Sequence, residues 1–127
     1  MNIKKSIVGS LFSMLLVSEM AAANWGDVYY CQMTKNLTIM HTAEMKNYPL
    51  ERFQFKLDQT KNAMVFGSKG YFINGVIELV DGWGAVREET WKAHTKYSMT
   101  TFANGDFLYT YNGLLSAAVV VADCDKF

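Results

Sequence analysis

The sequence predicts an all-β domain: a small antiparallel barrel of about eight strands or, as the second choice, a sandwich. Three observations carry this expectation. Two aromatic and β-branched runs flank Asn104-Gly105 within Tyr97–Tyr111, the pattern of a tight hairpin. Short alternating segments recur along the chain at roughly 8–12 residues, divided by Gly, Asn and Asp. Two cysteines, Cys31 and Cys124, lie near opposite ends of what reads as an exported domain.

The start of the chain supplies the export reading. Lys4 and Lys5 precede an apolar stretch, Ile7 to Val17, and Ala21-Ala22-Ala23 offers the small residues a signal peptidase accepts. Residues 1–23 are therefore expected to be a signal peptide, leaving 24–127 as a single domain in the periplasm or outside the cell. Glu19 interrupts the apolar run early, and a spanning helix needs ~20 apolar residues, so a membrane anchor is the weaker reading. No cysteine stands at the cleavage site to carry a lipid.

Removal of this segment takes two lysines and one glutamate from the 12 basic and 12 acidic residues, leaving 10 against 11. A charge so near zero gives no bulk attraction to nucleic acid or to an acidic membrane, and no membrane insertion is expected once the signal is gone. Of the 18 aromatics only Phe12 is lost, which points to a compact aromatic core rather than disorder. Two thiols in an exported chain read as one intramolecular disulfide. That bridge would draw the first and last strands together and close the sheet, removing its open edges.

The elements follow in order. Val28–Met33 alternates, with Tyr29, Cys31 and Met33 on one face. Thr34-Lys35-Asn36 reads as a turn and Leu37–Ala43 as a second strand, with His41 on the side of Leu37 and Ile39. Asn36-Leu37-Thr38 also matches an N-glycosylation sequon, which matters only in a eukaryotic host. Glu44–Leu50 is a connection around Tyr48-Pro49, the only proline. Arg52–Leu57 puts Phe53, Phe55 and Leu57 on one face and Arg52, Gln54 and Lys56 on the other, and is expected to pair with Ala63–Gly67.

Gly67–Gly70 reads as a turn. Tyr71–Ile73 and Val76–Val80 read as one strand with a bulge at Asn74-Gly75, or as a hairpin. Asp81–Gly84 is a loop around Trp83. Val86–Lys96 lacks a helical stripe and is assigned to strand. In the hairpin, a two-residue loop sets Phe102 opposite Phe107, Thr100 opposite Tyr109 and Ser98 opposite Tyr111, while a three-residue loop would shift that register. Leu115–Asp123 is a strand by virtue of Val119-Val120-Val121.

No catalytic pattern emerges. His41 and His94 lack the spacing of a metal pair, the adjacent Glu88 and Glu89 would face opposite ways on a strand, and no G-x-S-x-G occurs. The domain is therefore expected not to be an enzyme and to need neither metal nor other cofactor. Its aromatics are the functional lead. Trp83 sits between two glycines at a loop tip, and Trp83, Tyr71 and Trp91 are the candidates for contact with a ligand or partner. The first reading is a binding module for a small apolar or aromatic ligand. The alternative is a protein-binding inhibitor or envelope interaction factor working through loops such as 67–70 and 81–84.

Tyr30-Cys31 followed by Leu37-Thr38-Ile39, together with the terminal Cys124, resembles the periplasmic inhibitors of c-type lysozyme, small exported barrels with cysteines near both ends. The likeness is short. Their inhibitory Ser-Gly and nearby Tyr are matched only by Gly67-Ser68-Lys69-Gly70-Tyr71, in a different order, and the inhibitory role is not carried over.

Overall fold

The computed structural model describes residues 23–80 and 90–127. Among these described residues nine strands follow in chain order: β1 (Val28–Met40), β2 (Met45–Asn47), β3 (Arg52–Asp58), β4 (Ala63–Gly70), β5 (Val76–Leu79), β6 (Thr90–His94), β7 (Ser98–Ala103), β8 (Asp106–Asn112) and β9 (Ser116–Lys126). From β3 to β9 each strand pairs antiparallel with the next, and β1 joins β3 on one side and β9 on the other. The sheet thus closes into an eight-stranded antiparallel barrel, with β2 as an extra strand bonded to β1.

Closure rests on the longest ladder, which runs from Tyr29↔Lys126 to Met40↔Ser116. Cys31 and Cys124 are direct partners in it and form the disulfide, across a sequence separation of 93. A covalent bridge between the outermost barrel strands agrees with both expectations, the barrel and the cystine. It also fits an oxidising, non-cytoplasmic compartment.

Alternation decides the core. Tyr29, Cys31 and Met33 of β1, Phe53, Phe55 and Leu57 of β3, Met64 and Phe66 of β4, and Phe102 and Phe107 of the hairpin all point inward and are buried. Their rings interlock. Phe55 lies 5.5 Å from Tyr29, 5.7 Å from Phe66, 5.1 Å from Phe102 and 5.8 Å from Phe107. Such offset and edge contacts are the arrangements that ring quadrupoles favour. Small residues, Ala93 and Ala122, share this interior, and Ala122, directly opposite Phe107, leaves room for its ring.

The hairpin takes the two-residue loop. Asn104 and Gly105 both have positive φ, 51° and 84°, and the ladder sets Phe102 opposite Phe107, Thr100 opposite Tyr109 and Ser98 opposite Tyr111. The expected pairing of 52–57 with 63–67 is present in β3 and β4.

Three details differ from expectation. Residues 34–36 are not a turn: β1 runs through them, with a register shift between Met33 and Lys35. The extra residue, Thr34, donates its hydroxyl hydrogen to the Val121 carbonyl at 3.3 Å. A bulge of this kind inverts the alternation, so that Asn36 is buried while Ile39 is exposed. His41 accordingly lies in the exposed turn after β1 and not on an apolar face. Next, the chain does not turn at Gly67–Gly70: β4 continues to Gly70, and the turn falls at 71–74. Gly70 adopts φ +99°, where a Cβ would collide with the Arg52 carbonyl. Third, the connection after β1 contains β2, whose three residues pair with Leu37, Thr38 and Ile39.

Pro49 explains why β2 and β3 are separate strands. It has no amide hydrogen, so the ladder along β1 breaks there. Asn36 bridges the gap with its side-chain amide, which donates to the Pro49 carbonyl at 3.0 Å. The sequon asparagine is therefore a buried structural residue in the folded chain, with no room for a glycan.

Candidate functional site

An up-and-down barrel gathers alternate connections at its two ends. The turns 41–44, 71–75, 95–97 and 113–115 lie at one end, and the 59–62 turn, the Asn104-Gly105 loop and residues 23–27 and 127 lie at the other. Backbone bonds tie the first group together: the His41 amide donates to the Leu115 carbonyl at 2.8 Å, and the Asn112 amide to the Tyr97 carbonyl at 2.7 Å.

Phe72 plugs this end. It lies 4.9 Å from Phe53, 4.8 Å from Phe66, 5.9 Å from Phe107 and 4.9 Å from Tyr109. Tyrosines stand around the plug. Tyr71 meets Phe72 edge-on at 4.8 Å, and Tyr97 meets Tyr111 at 6.5 Å. Burial raises the phenol pKa of Tyr71, with the nearby Glu51 carboxylate and Tyr48 adding to it. Burial also raises that of Tyr109, against a hydrogen bond from Ser98, with Tyr71 and Tyr111 close enough to contribute. These mutual effects place Tyr48, Tyr71, Tyr109 and Tyr111 in one neighbourhood.

The exposed apolar surface is unevenly spread. Among the described residues sixteen large apolar side chains are exposed, and twelve belong to this half of the barrel. Ile39, Met45, Tyr48 and Leu50 come from β1, β2 and the approach to β3. Tyr71, Ile73 and Val76 come from the β4–β5 turn and its edge. Tyr97, Met99 and Tyr111 flank the β6–β7 and β8–β9 turns, and Leu114 and Leu115 form the tip of the latter. Leu114 is 96% exposed. A monomeric surface rarely gathers its apolar side chains this way without a use for them.

Grooves lie beside these side chains. One of about 410 Å³ runs between the 95–97 turn and β8, lined by His94, Lys96, Tyr97, Met99, Tyr111 and Asn112. The Lys96 ammonium stands 5.4 Å from the centre of the Tyr97 ring.

Of the residues singled out from sequence, Tyr71 belongs to this end. Trp91 sits at the opposite end, edge-on to Trp25 at 4.9 Å, with its indole N–H buried and unpartnered. Trp83 falls in 81–89, outside the described residues. The structure therefore does not bring Tyr71 and Trp91 together. Sequence reasoning missed Tyr48, Tyr97, Tyr111 and the Leu114-Leu115 tip. A signal was present: Tyr97 directly precedes Ser98, the partner of Tyr111, so both tyrosines fall at the open end of the hairpin, which leads on to Leu114.

His94 stands opposite Glu78 in the β5–β6 ladder, on the outer wall, and both are exposed. Among the described residues no three His, Cys, Asp or Glu side chains come close enough to hold a metal ion. No family model, curated protein or solved structure matches this chain.

Proposed function

We propose that this domain is an exported, non-catalytic binding module that docks a partner through its tyrosine-rich end. One observation carries the reading: twelve of the sixteen exposed large apolar side chains among the described residues share that half. Tyrosine suits such a surface, since it offers large rigid area with a polar tip. The interlocked phenyl rings inside the barrel give no support to a ligand held at its centre.

The test is differential capture. Immobilised protein, with and without the Tyr71→Ala/Tyr111→Ala pair, is exposed to envelope and extracellular extract of its own source. Material retained by the unchanged protein and lost from the pair supports the proposal, provided both give the same circular dichroism. Identical retention would remove it.

The groove beside Tyr97 and Tyr111 favours a second reading, a small aromatic ligand bound on the outer wall. Its volume falls within the range of small-molecule sites. Native mass spectrometry of protein from its source would reveal a retained small mass.

A further inference from the structure

The geometry points to an anionic lipid surface as the partner of the tyrosine-rich end, an inference that rests on the proposed docking role of that end. Three features lead there. Some of the apolar side chains project from turns at the barrel's rim. Leu114 and Leu115 at one tip and Ile73 at another are exposed, Leu114 almost completely. A protein partner must supply a fitted pocket for each such knob, whereas a bilayer accepts them without one.

The tyrosines stand just behind these tips. Tyr71 is two residues from Ile73, and Tyr111 leads through Asn112-Gly113 to Leu114. Amphipathic rings behind an apolar tip match the layering of a membrane interface, where aromatic side chains settle at headgroup level.

Charge is divided in the same sense. Among the described residues of the tyrosine-rich half, Lys35, Lys46, Lys69 and Lys96 outnumber Glu44 and Glu51. Toward the other end, again among the described residues, Asp27, Asp58, Asp106, Asp123 and Asp125 outnumber Lys56, Lys61 and Lys126. Glu78 and Lys92 lie on the wall of β5 and β6, and Arg52 lies on the wall of β3 in one groove with Asp123 and Asp125. The near-neutral total conceals a dipole that would turn the apolar rim toward an anionic surface. Cation attraction and shallow apolar insertion are the two signals whose combination holds a peripheral protein on a membrane. The contact is peripheral: the tips reach the interface and no strand crosses it.

The experiment is vesicle co-sedimentation with protein recovered from its source, its N-terminus fixed by intact mass. The probes are phosphatidylglycerol-containing vesicles and pure phosphatidylcholine vesicles. The expected result is binding to the former, weaker by ~10-fold or more on the latter and at high salt. Leu114→Ser/Leu115→Ser, whose side chains lie outside the core, should weaken binding by a similar factor at unchanged thermal stability, and Lys46→Glu/Lys96→Glu should do likewise. Absence of sedimentation with the anionic vesicles, or sedimentation unaffected by the leucine pair, overturns the assignment. If vesicles are ignored while the Tyr71/Tyr111 pair still loses a captured protein, the partner is a protein: the lipid assignment falls and the docking role stands. If both experiments are negative, both fall.

Discussion

Cys31 and Cys124 are direct partners in the β1–β9 ladder, their Cα atoms 4.0 Å apart, and both point into the aromatic core. The bridge therefore fastens the very seam at which the sheet becomes a barrel. Tying off a segment of this length is worth ~4–5 kcal/mol in the chain-entropy model. Cys31→Ser/Cys124→Ser should lower unfolding stability by about that amount, read from urea denaturation. The loss should fall in the midpoint, and alkylation under denaturing, non-reducing conditions should label neither cysteine of the unchanged protein.

Phe72 and Leu114 are both apolar residues of the turns at one end, yet their substitutions should diverge. Phe72 touches four core or near-core rings, so Phe72→Ala leaves a hole beneath the rim and should cost ~2–4 kcal/mol, somewhat less than truncating a fully buried ring. Leu114→Ser removes a side chain that buries nothing and should change stability by less than ~0.5 kcal/mol. Thermal unfolding of the two variants side by side checks the distinction.

Gly70 and Gly26 both have positive φ, +99° and +91°, but only Gly70 is hemmed in. A methyl group there meets the Arg52 carbonyl and lies 2.9 Å from the Phe53 Cα, both backbone atoms, whereas at Gly26 nothing lies within 4 Å. Gly26→Ala should cost ~1 kcal/mol from backbone strain alone, and Gly70→Ala should cost ~2–4 kcal/mol. Comparable losses at the two positions would show that the β3–β4 close approach relaxes freely.

Stability should fall at alkaline pH. Burial, with Asp27 nearby, pushes the Tyr29 phenol up from 10.0 to about 12. The unfolded chain then releases the proton before the folded one does. The contribution is fully present below pH 10, is lost as pH rises from there, and is gone above about 12. Its size is on the order of 2 kcal/mol. Tyr29→Phe should flatten the decline between those limits in denaturation curves taken across the range.

Asn36→Ala should cost ~1–2 kcal/mol, because it strands the Pro49 carbonyl beside a buried site. Hydrogen exchange should quicken first at the amides of Met33 and Tyr48, which flank the gap by donating to the Glu51 and Asn36 carbonyls respectively. Unaltered stability would mean that water replaces the amide without loss.

The legible parts of the fold were those with short-range chemistry. Asn104-Gly105 announced its turn because few other residue pairs tolerate that backbone, and the register of Phe102 with Phe107 followed from it. The strict alternation of Arg52–Leu57 announced β3. Thr34-Lys35-Asn36 misled because three polar residues in a row resemble a turn. Their actual role depends on distant partners, Val121 for Thr34 and Pro49 for Asn36, which no local pattern reveals. Gly70 misled for a related reason: it serves a close approach of β4 to β3 rather than a reversal. At the site, Tyr71 was visible as an aromatic beside a glycine-rich stretch. Its convergence with Tyr48, Tyr109 and Tyr111 depends on strands that meet only when the sheet is rolled up.

β1 serves two halves of the molecule that ask different things of it. Before Thr34 it carries the cystine and the phenyl packing; after Thr34 it carries Asn36, β2 and the rim. Because the bulge separates those tasks, mutations that remodel the rim can accumulate without loosening the seam. Such a chain has latitude to change its outer face while keeping how it holds together, and its tyrosine-rich rim should diversify faster than its interior.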